Sequence, residues 1–150
     1  MISLDLFGTP IASARPRFNF KTKTAYEDPQ QGKLKEGAKW QLKSQYREEP
    51  LGCPVYVDLT FYLPIPKSTS KPKQRQMLNG IMQHISKPDI DNLQKFVLDC
   101  LNGIVIEDDR RVVEIRARKV YSSKPGTLIR IMPIRPEQYE QINGSDPRKT

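Results

Sequence analysis

The residues able to do chemistry are concentrated between Asp89 and Glu114, where seven acids fall: Asp89, Asp91, Asp99, Glu107, Asp108, Asp109 and Glu114. Asp89 and Asp91 stand two apart, and in extended chain that spacing turns both carboxylates to one side and Ile90 to the other. Two carboxylates sharing a site repel each other, so one stays protonated unless a cation joins them. Hard oxygen donors select Mg²⁺ or Mn²⁺. Mg²⁺ takes only one or two carboxylates and completes its shell with water and substrate phosphate. Lys95 lies one helical turn beyond Asp91, within reach of the same bound group. The second cluster, Glu107-Asp108-Asp109, follows the apolar run Ile104-Val105-Ile106. A strand there would return beside the helix and bring a third carboxylate to the pair. A plainer reading stands beside this one. Asp at a helix start is a common N-cap, a second Asp in the first turn suits the helix dipole, and Lys95 simply pairs with Asp91. Glu107 to Asp109 is then an ordinary acidic turn.

The charge around this centre has the opposite sign. The chain of 150 residues carries 25 Lys+Arg against 17 Asp+Glu, a formal net charge of +8. Thr9 to Tyr26 holds four cations (Arg15, Arg17, Lys21, Lys23) and no acid, and Pro64 to Pro88 holds five (Lys67, Lys71, Lys73, Arg75, Lys87) and no acid. Basic stretches about an acidic centre suit an enzyme that grips phosphates and holds a metal among them. They imply a polyanionic partner, nucleic acid first and an anionic membrane surface second. No basic amphipathic helix with a bulky apolar face supports the membrane surface. A single His and two Cys exclude a His-rich zinc site, a cysteine metal tetrad and a disulfide framework. No apolar run approaches the roughly 18 residues of a membrane span. Met1 to Asp5 has neither the basic nor the apolar region of a secretory signal. A cytoplasmic, reduced protein is therefore expected.

The elements that must position these residues follow from periodicity and punctuation. Ile2 to Phe7 reads as a strand, with a turn at Gly8-Thr9-Pro10. The basic, Pro-broken stretch through Arg15 and Arg17 to Pro29 reads as a loop. Gln30 to Tyr46 reads as a helix with a rough apolar stripe of Leu34, Ala38, Trp40, Leu42 and Tyr46. Val55 to Leu63 is the clearest strand. Lys67 to Ser86 is polar and basic, with a short helix over Lys73 to Leu78. Pro88 marks a boundary, because it disfavours helix at Lys87. A helix is expected over Asp91 to Leu101, terminated by Gly103. Ile90, Leu93, Val97 and Leu101 give it an apolar stripe, with Asp91, Lys95 and Asp99 opposite. Val112 to Tyr121 and Leu128 to Pro133 read as strands. Trp40, Tyr46, Cys53 and Cys100 read as packing residues, and His84 as an incidental loop residue. The pattern implies an α+β (mixed α/β) fold with a single small mixed β-sheet packed with helices. A small sheet, many prolines and a short core helix favour a core shared in a dimer.

The segment Lys87-Pro88-Asp89-Ile90-Asp91-Asn92-Leu93-Gln94-Lys95, then Asp99, Leu101-Asn102-Gly103, Glu107-Asp108-Asp109 and Val112-Val113-Glu114, resembles the RusA family of Holliday-junction resolvases. The combined KPDxDNxxK, LDxLNG and EDD pattern is far more specific than a lone DxD. Gly8-Thr9-Pro10 with Ala14-Arg15-Pro16-Arg17 is similar to the opening of many members. The resemblance spans roughly residues 1–134, read as one nuclease domain, followed by a polar tail over 135–150. It implies a small homodimeric endonuclease of mixed α/β fold, often phage-encoded, that nicks four-way junction DNA symmetrically using Mg²⁺, with Mn²⁺ able to substitute. By the same resemblance Asp89, Asp91 and Asp109 match the catalytic, metal-holding aspartates and Lys95 a lysine needed for cleavage. Asp108 is the alternative third ligand, since one shifted gap exchanges it with Asp109. Arg15, Arg17, Lys67, Lys71, Lys73, Arg75 and Lys87 are the expected DNA-backbone contacts, and no membrane partner is expected. Two other functions stay open: a nuclease for another branched DNA, and a non-catalytic branched-DNA-binding protein in which the acids are only caps.

Overall fold

The computed structural model of the chain describes residues 1–138 and Arg148. The expected polar tail therefore lies, from residue 139 onward and apart from Arg148, outside the described residues. In chain order the elements are β1 (Ile2–Phe7), β2 (Arg17–Asn19), β3 (Thr24–Tyr26), α1 (Pro29–Gln45), β4 (Val55–Pro64), α2 (Lys71–Leu78), α3 (Ile90–Leu101), a 3-10 turn (Asp109–Arg111), β5 (Val112–Ser122) and β6 (Gly126–Pro133). Four strands form one mixed sheet in the order β1-β6-β4-β5, the α+β architecture expected. The pairs β1–β6 and β4–β6 are antiparallel, and β4–β5 is parallel. Among the described residues no helix is long and apolar enough to cross a membrane.

Alternation makes the sheet one-sided. On β4 the side chains of Val55, Val57, Leu59, Phe61 and Leu63 are buried, while Tyr56, Asp58 and Tyr62 stay partly exposed. Onto the buried face α3 sets Leu93, Phe96, Val97, Cys100 and Leu101, and α1 sets Ala38 and Leu42. Each fully buried aliphatic or aromatic side chain in such a core contributes roughly 1.5–3 kcal/mol. Parallel β4 and β5 need a crossover between them, and α2 and α3 supply it. Running back across the face, α3 brings its N-terminus to the end of the sheet where β5 finishes.

Several expectations need correction. The basic stretch after Pro16 is not loop throughout but a small hairpin, β2 against β3. Its turn lacks glycine because Lys23 itself takes the positive φ of 54°. Ile104 to Ile106 is not a strand. It is a turn behind α3, opened by Gly103 at φ 78° and tied to Leu51 by Leu51 N–H donating to Val105 O (2.8 Å). Trp40 does not pack and is 73% exposed, whereas Tyr46 is buried. Ile90 is exposed, and the buried stripe of α3 runs instead through Leu93, Phe96, Val97, Cys100 and Leu101.

Candidate active site

Helix α3 begins at Ile90, one residue earlier than expected, with Asp89 as its N-cap at φ −73°, ψ 144°. Asp91 therefore lies inside the first helical turn and not in extended chain. The alternation argument for the pair gives way to proximity at one helix end. Asp89 occupies the cap position, yet its side chain accepts no capping hydrogen bond. Asp28, the cap of α1, does accept one from Gln30 N–H (3.0 Å). The Asp91 carboxylate bonds only the N–H of Asn92 beside it (2.9 Å). Both aspartates are exposed, as is Lys95 one turn on. Lys95 forms no ion pair among the described residues, so the simple pairing with Asp91 does not occur. Asp99 is taken by Lys35, a residue the sequence reading missed.

The segment before β2 is fastened across α3 at this point. Ser13 N–H donates to Asn92 O (2.9 Å), and Ala14 N–H donates to the buried side chain of Gln31. Arg15 thereby comes to line a cleft with Lys95, Asp99, Lys35 and Glu27. Arg17 is held at the rim by Asp28 (3.0 Å). Inside the cleft Lys35 bridges Glu27 (2.6 Å) and Asp99 (3.2 Å). Burial works against its charge, but hydrogen bonds to the two carboxylates outweigh that and keep its pKa above the ordinary lysine value.

The approach to Asp89 is held by a second lysine with no sequence signal. Lys119 on β5 donates to the carbonyls of Ser86 (2.9 Å) and Pro88 (3.0 Å). The Lys87–Pro88 peptide between them is cis. Beside it His84 packs on Tyr121, ring centroids 4.8 Å apart. His84 is thus a packing residue between the loop and β5. Burial, and then the charge of Lys119, lower its pKa below the ordinary histidine value. Only the fold brings β5 to this loop, which is why spacing could not reveal either residue.

The acidic turn resolves into two different aspartates. Asp108 caps the 3-10 turn through Arg110 N–H (2.8 Å) and pairs with the Arg110 guanidinium (3.0 Å). Those bonds lower its pKa below the usual carboxylate range. The Asp109 carboxylate makes no hydrogen bond or ion pair among the described residues, and only its backbone carbonyl is used, accepting from Val112 N–H. The turn stands where β5 begins, whereas Asp89 lies near Lys119 toward the end of β5, a separation of roughly 20 Å of strand. Accordingly, no three His, Cys, Asp or Glu side chains gather into a metal-holding group among the described residues. The strand expected to carry a third carboxylate back to the pair is the turn behind α3, and it leads away from the pair. Asp89 and Asp91 remain a fitting donor set for a hard cation that needs only one or two carboxylates.

The other expected contacts form a basic surface. Lys71, Lys73 and Arg75 are exposed on α2, which packs on β5, and Lys67 and Lys87 are exposed in the flanking loops. None of the five enters an ion pair among the described residues. Arg116 and Arg118 add exposed charge on β5 that the sequence reading left out.

Comparison with known proteins agrees with this geometry. Residues 8–132 match the family model described as endodeoxyribonuclease RusA. The chain is 34% identical over 134 residues to the uncharacterized protein YqaN of Bacillus subtilis (strain 168), covering 87% of this chain and 94% of that protein. It is 24% identical over 134 residues to the crossover junction endodeoxyribonuclease RusA of Aquifex aeolicus (strain VF5), covering 88% of this chain and 91% of that protein. With two exposed carboxylates at the head of α3, neither in an ion pair among the described residues, a cleft carrying Arg15, Lys35 and Lys95 among three acids nearby, and a family match over most of its length, the chain belongs to the RusA family of endodeoxyribonucleases and is a nuclease.

Proposed function

We propose that this protein is a Mg²⁺-dependent, structure-specific endodeoxyribonuclease. It resolves Holliday junctions by paired symmetric nicks, acting as a cytoplasmic homodimer in DNA recombination and repair. The observation that carries the reading is that Asp89, at an exposed helix N-terminus with Asp91 two residues on, leaves its carboxylate unbonded to the backbone, while Lys95, one turn beyond Asp91, lines a cleft with Arg15. A carboxylate that merely capped α3 would bond a backbone N–H, and Asp89 does not.

Asp89 and Asp91 would hold the cation, with Mn²⁺ able to replace Mg²⁺. Bound there, Mg²⁺ supplies a water of lowered pKa and positive charge beside the scissile phosphate. The free N–H groups and dipole at the head of α3 favour the phosphate at the same place. Lys95 neutralises charge growing on the phosphate oxygens in the transition state. Arg15 orients the phosphate in the cleft. Lys67, Lys71, Lys73, Arg75 and Lys87, with Arg17 at the rim, grip the flanking backbone without reading sequence. Asp109 stands too far from the pair within one chain. A two-fold copy would bring its own Asp109 to the pair, and a junction, itself nearly two-fold, would then be nicked on opposed strands.

The test uses a labelled synthetic four-way junction with wild-type protein and Asp91→Asn, each with and without Mg²⁺. The expected outcome is paired nicks that need both Mg²⁺ and Asp91 and are absent on linear duplex. Junction binding by both proteins with no cleavage in any condition would leave only a DNA-binding protein.

A further inference from the structure

The β2–β3 hairpin carries a feature that phosphate gripping does not use. Phe20 at its tip is 85% exposed and Phe18 is 49% exposed, with ring centroids 5.1 Å apart at 77°. Both project from the face on which Ala25 is the cross-strand neighbour of Phe18, and a methyl group covers little of a ring. Strands of three residues bury too little to hold themselves. Local polar bonds hold this tip instead. Asn19 Oδ1 accepts from Lys21 N–H (2.9 Å), the hydroxyls of Thr22 and Thr24 meet at 2.7 Å, and Arg17 anchors the base to Asp28. The rings are thus presented on a pre-formed turn and left uncovered.

We infer that this hairpin stacks Phe20 on an unstacked base at the branch point of the DNA, and so supplies part of the preference for branched over linear substrate. The inference rests on the nuclease reading above and names how its substrate is told apart. Lys21 and Lys23 follow Phe20, and no acid occurs from Thr9 to Tyr26, so the tip suits a polyanion that also offers flat faces. Nucleic-acid bases meet both demands, and aromatic side chains interleaved with cations are the usual platform for them. Linear duplex keeps its base faces stacked inside, whereas a branch point exposes them. The hairpin continues directly from Ser13 to Pro16, which lines the cleft with Lys95, so a base held at the tip is tethered to the candidate site.

The test measures binding of the full-length wild-type, Phe20→Ala and Phe20→Tyr proteins to a synthetic four-way junction and to a matched linear duplex in EDTA. The expected result is a junction preference in wild type. Phe20→Ala weakens junction binding about 5- to 150-fold, the range of one base–aromatic stack. Its duplex affinity and thermal midpoint stay at the wild-type values, and Phe20→Tyr restores the preference. Phe20→Ala binding the junction as wild type does, or losing junction and duplex affinity equally, overturns the inference and leaves the resolvase reading standing. Wild type that does not prefer the junction overturns both.

Discussion

What separates Asp89 from Asp28 is a single hydrogen bond. Both sit at the N-cap of a helix, but only Asp28 turns its carboxylate back on the backbone. The free carboxylate next to Asp91 is the residue-scale feature on which the proposed site rests, and Lys119 fastens two carbonyls just before it. Lys119→Met should therefore lower the nicking rate by about 10- to 100-fold, since small displacements at a reacting centre cost that much. Junction affinity should hold, and Lys119→Arg should recover part of the rate. Gel assays of binding and nicking on the same junction check this. A loss of binding equal to the loss of nicking would show that Lys119 only supports the fold. His84 gives a second residue-scale outcome. Burial and Lys119 keep it neutral, so its native pKa lies below the unfolded one. Between those values the unfolded chain binds more protons, so stability falls as pH drops below about 6.5 and levels off below the native pKa. Urea titrations of wild type and His84→Gln across that window should show this component in wild type alone.

At the scale of elements, α3 does two jobs with two faces. Its buried face closes the core, and its head and exposed face carry Asp91 and Lys95. Leu101 is fully buried against the sheet, so Leu101→Ala should cost about 2–5 kcal/mol, transfer and cavity terms together. Trp40 on α1 is the contrast. It is exposed with Lys43 Nζ 6.0 Å from its ring centre, and Trp40→Ala should change stability by less than about 0.5 kcal/mol. Chemical denaturation of the two variants compares them directly. The spacing on α3 was legible because an apolar stripe at helical period has one geometric solution. The stripe on α1 misled over Trp40 because that helix buries only Gln31, Ala38 and Leu42 along its length. The buried amide of Gln31 serves Ala14 N–H, a polar core contact that no apolar count can foresee.

At the scale of the whole molecule, the parallel β4–β5 crossover places the two ends of α3 at opposite ends of the sheet. That separates Asp109 from Asp89 and Asp91 within one chain and makes the proposed dimer testable. Mixing Asp91→Asn protein with Asp109→Asn protein should restore nicking that neither shows alone. In a mixed dimer one site then joins native Asp89 and Asp91 of one copy to native Asp109 of the other. Only single nicks should appear, because the second site carries both substitutions. Asp108→Asn in place of Asp109→Asn should leave nicking in the unmixed protein largely intact, since Asp108 is already committed to Arg110. No recovery on mixing would place all three aspartates in one chain's site.

The sequence by itself determined the α+β class, the main strands, α3 with its Gly103 terminator, and the candidate residues Asp89, Asp91 and Lys95. Those rest on local periodicity, on chain breakers and on a contiguous motif, all of which are written within a few residues of one another. It did not determine the β2–β3 hairpin, because a lysine takes the positive φ that a glycine usually marks. Nor did it separate Asp108 from Asp109, for their difference is one hydrogen-bond set with Arg110. The cleft of Arg15 and Lys35, the hold of Lys119 on the approach to Asp89, and the distance of Asp109 were decided only by tertiary structure. Each depends on residues far apart in the chain, and the sheet order and the crossover set which of them meet.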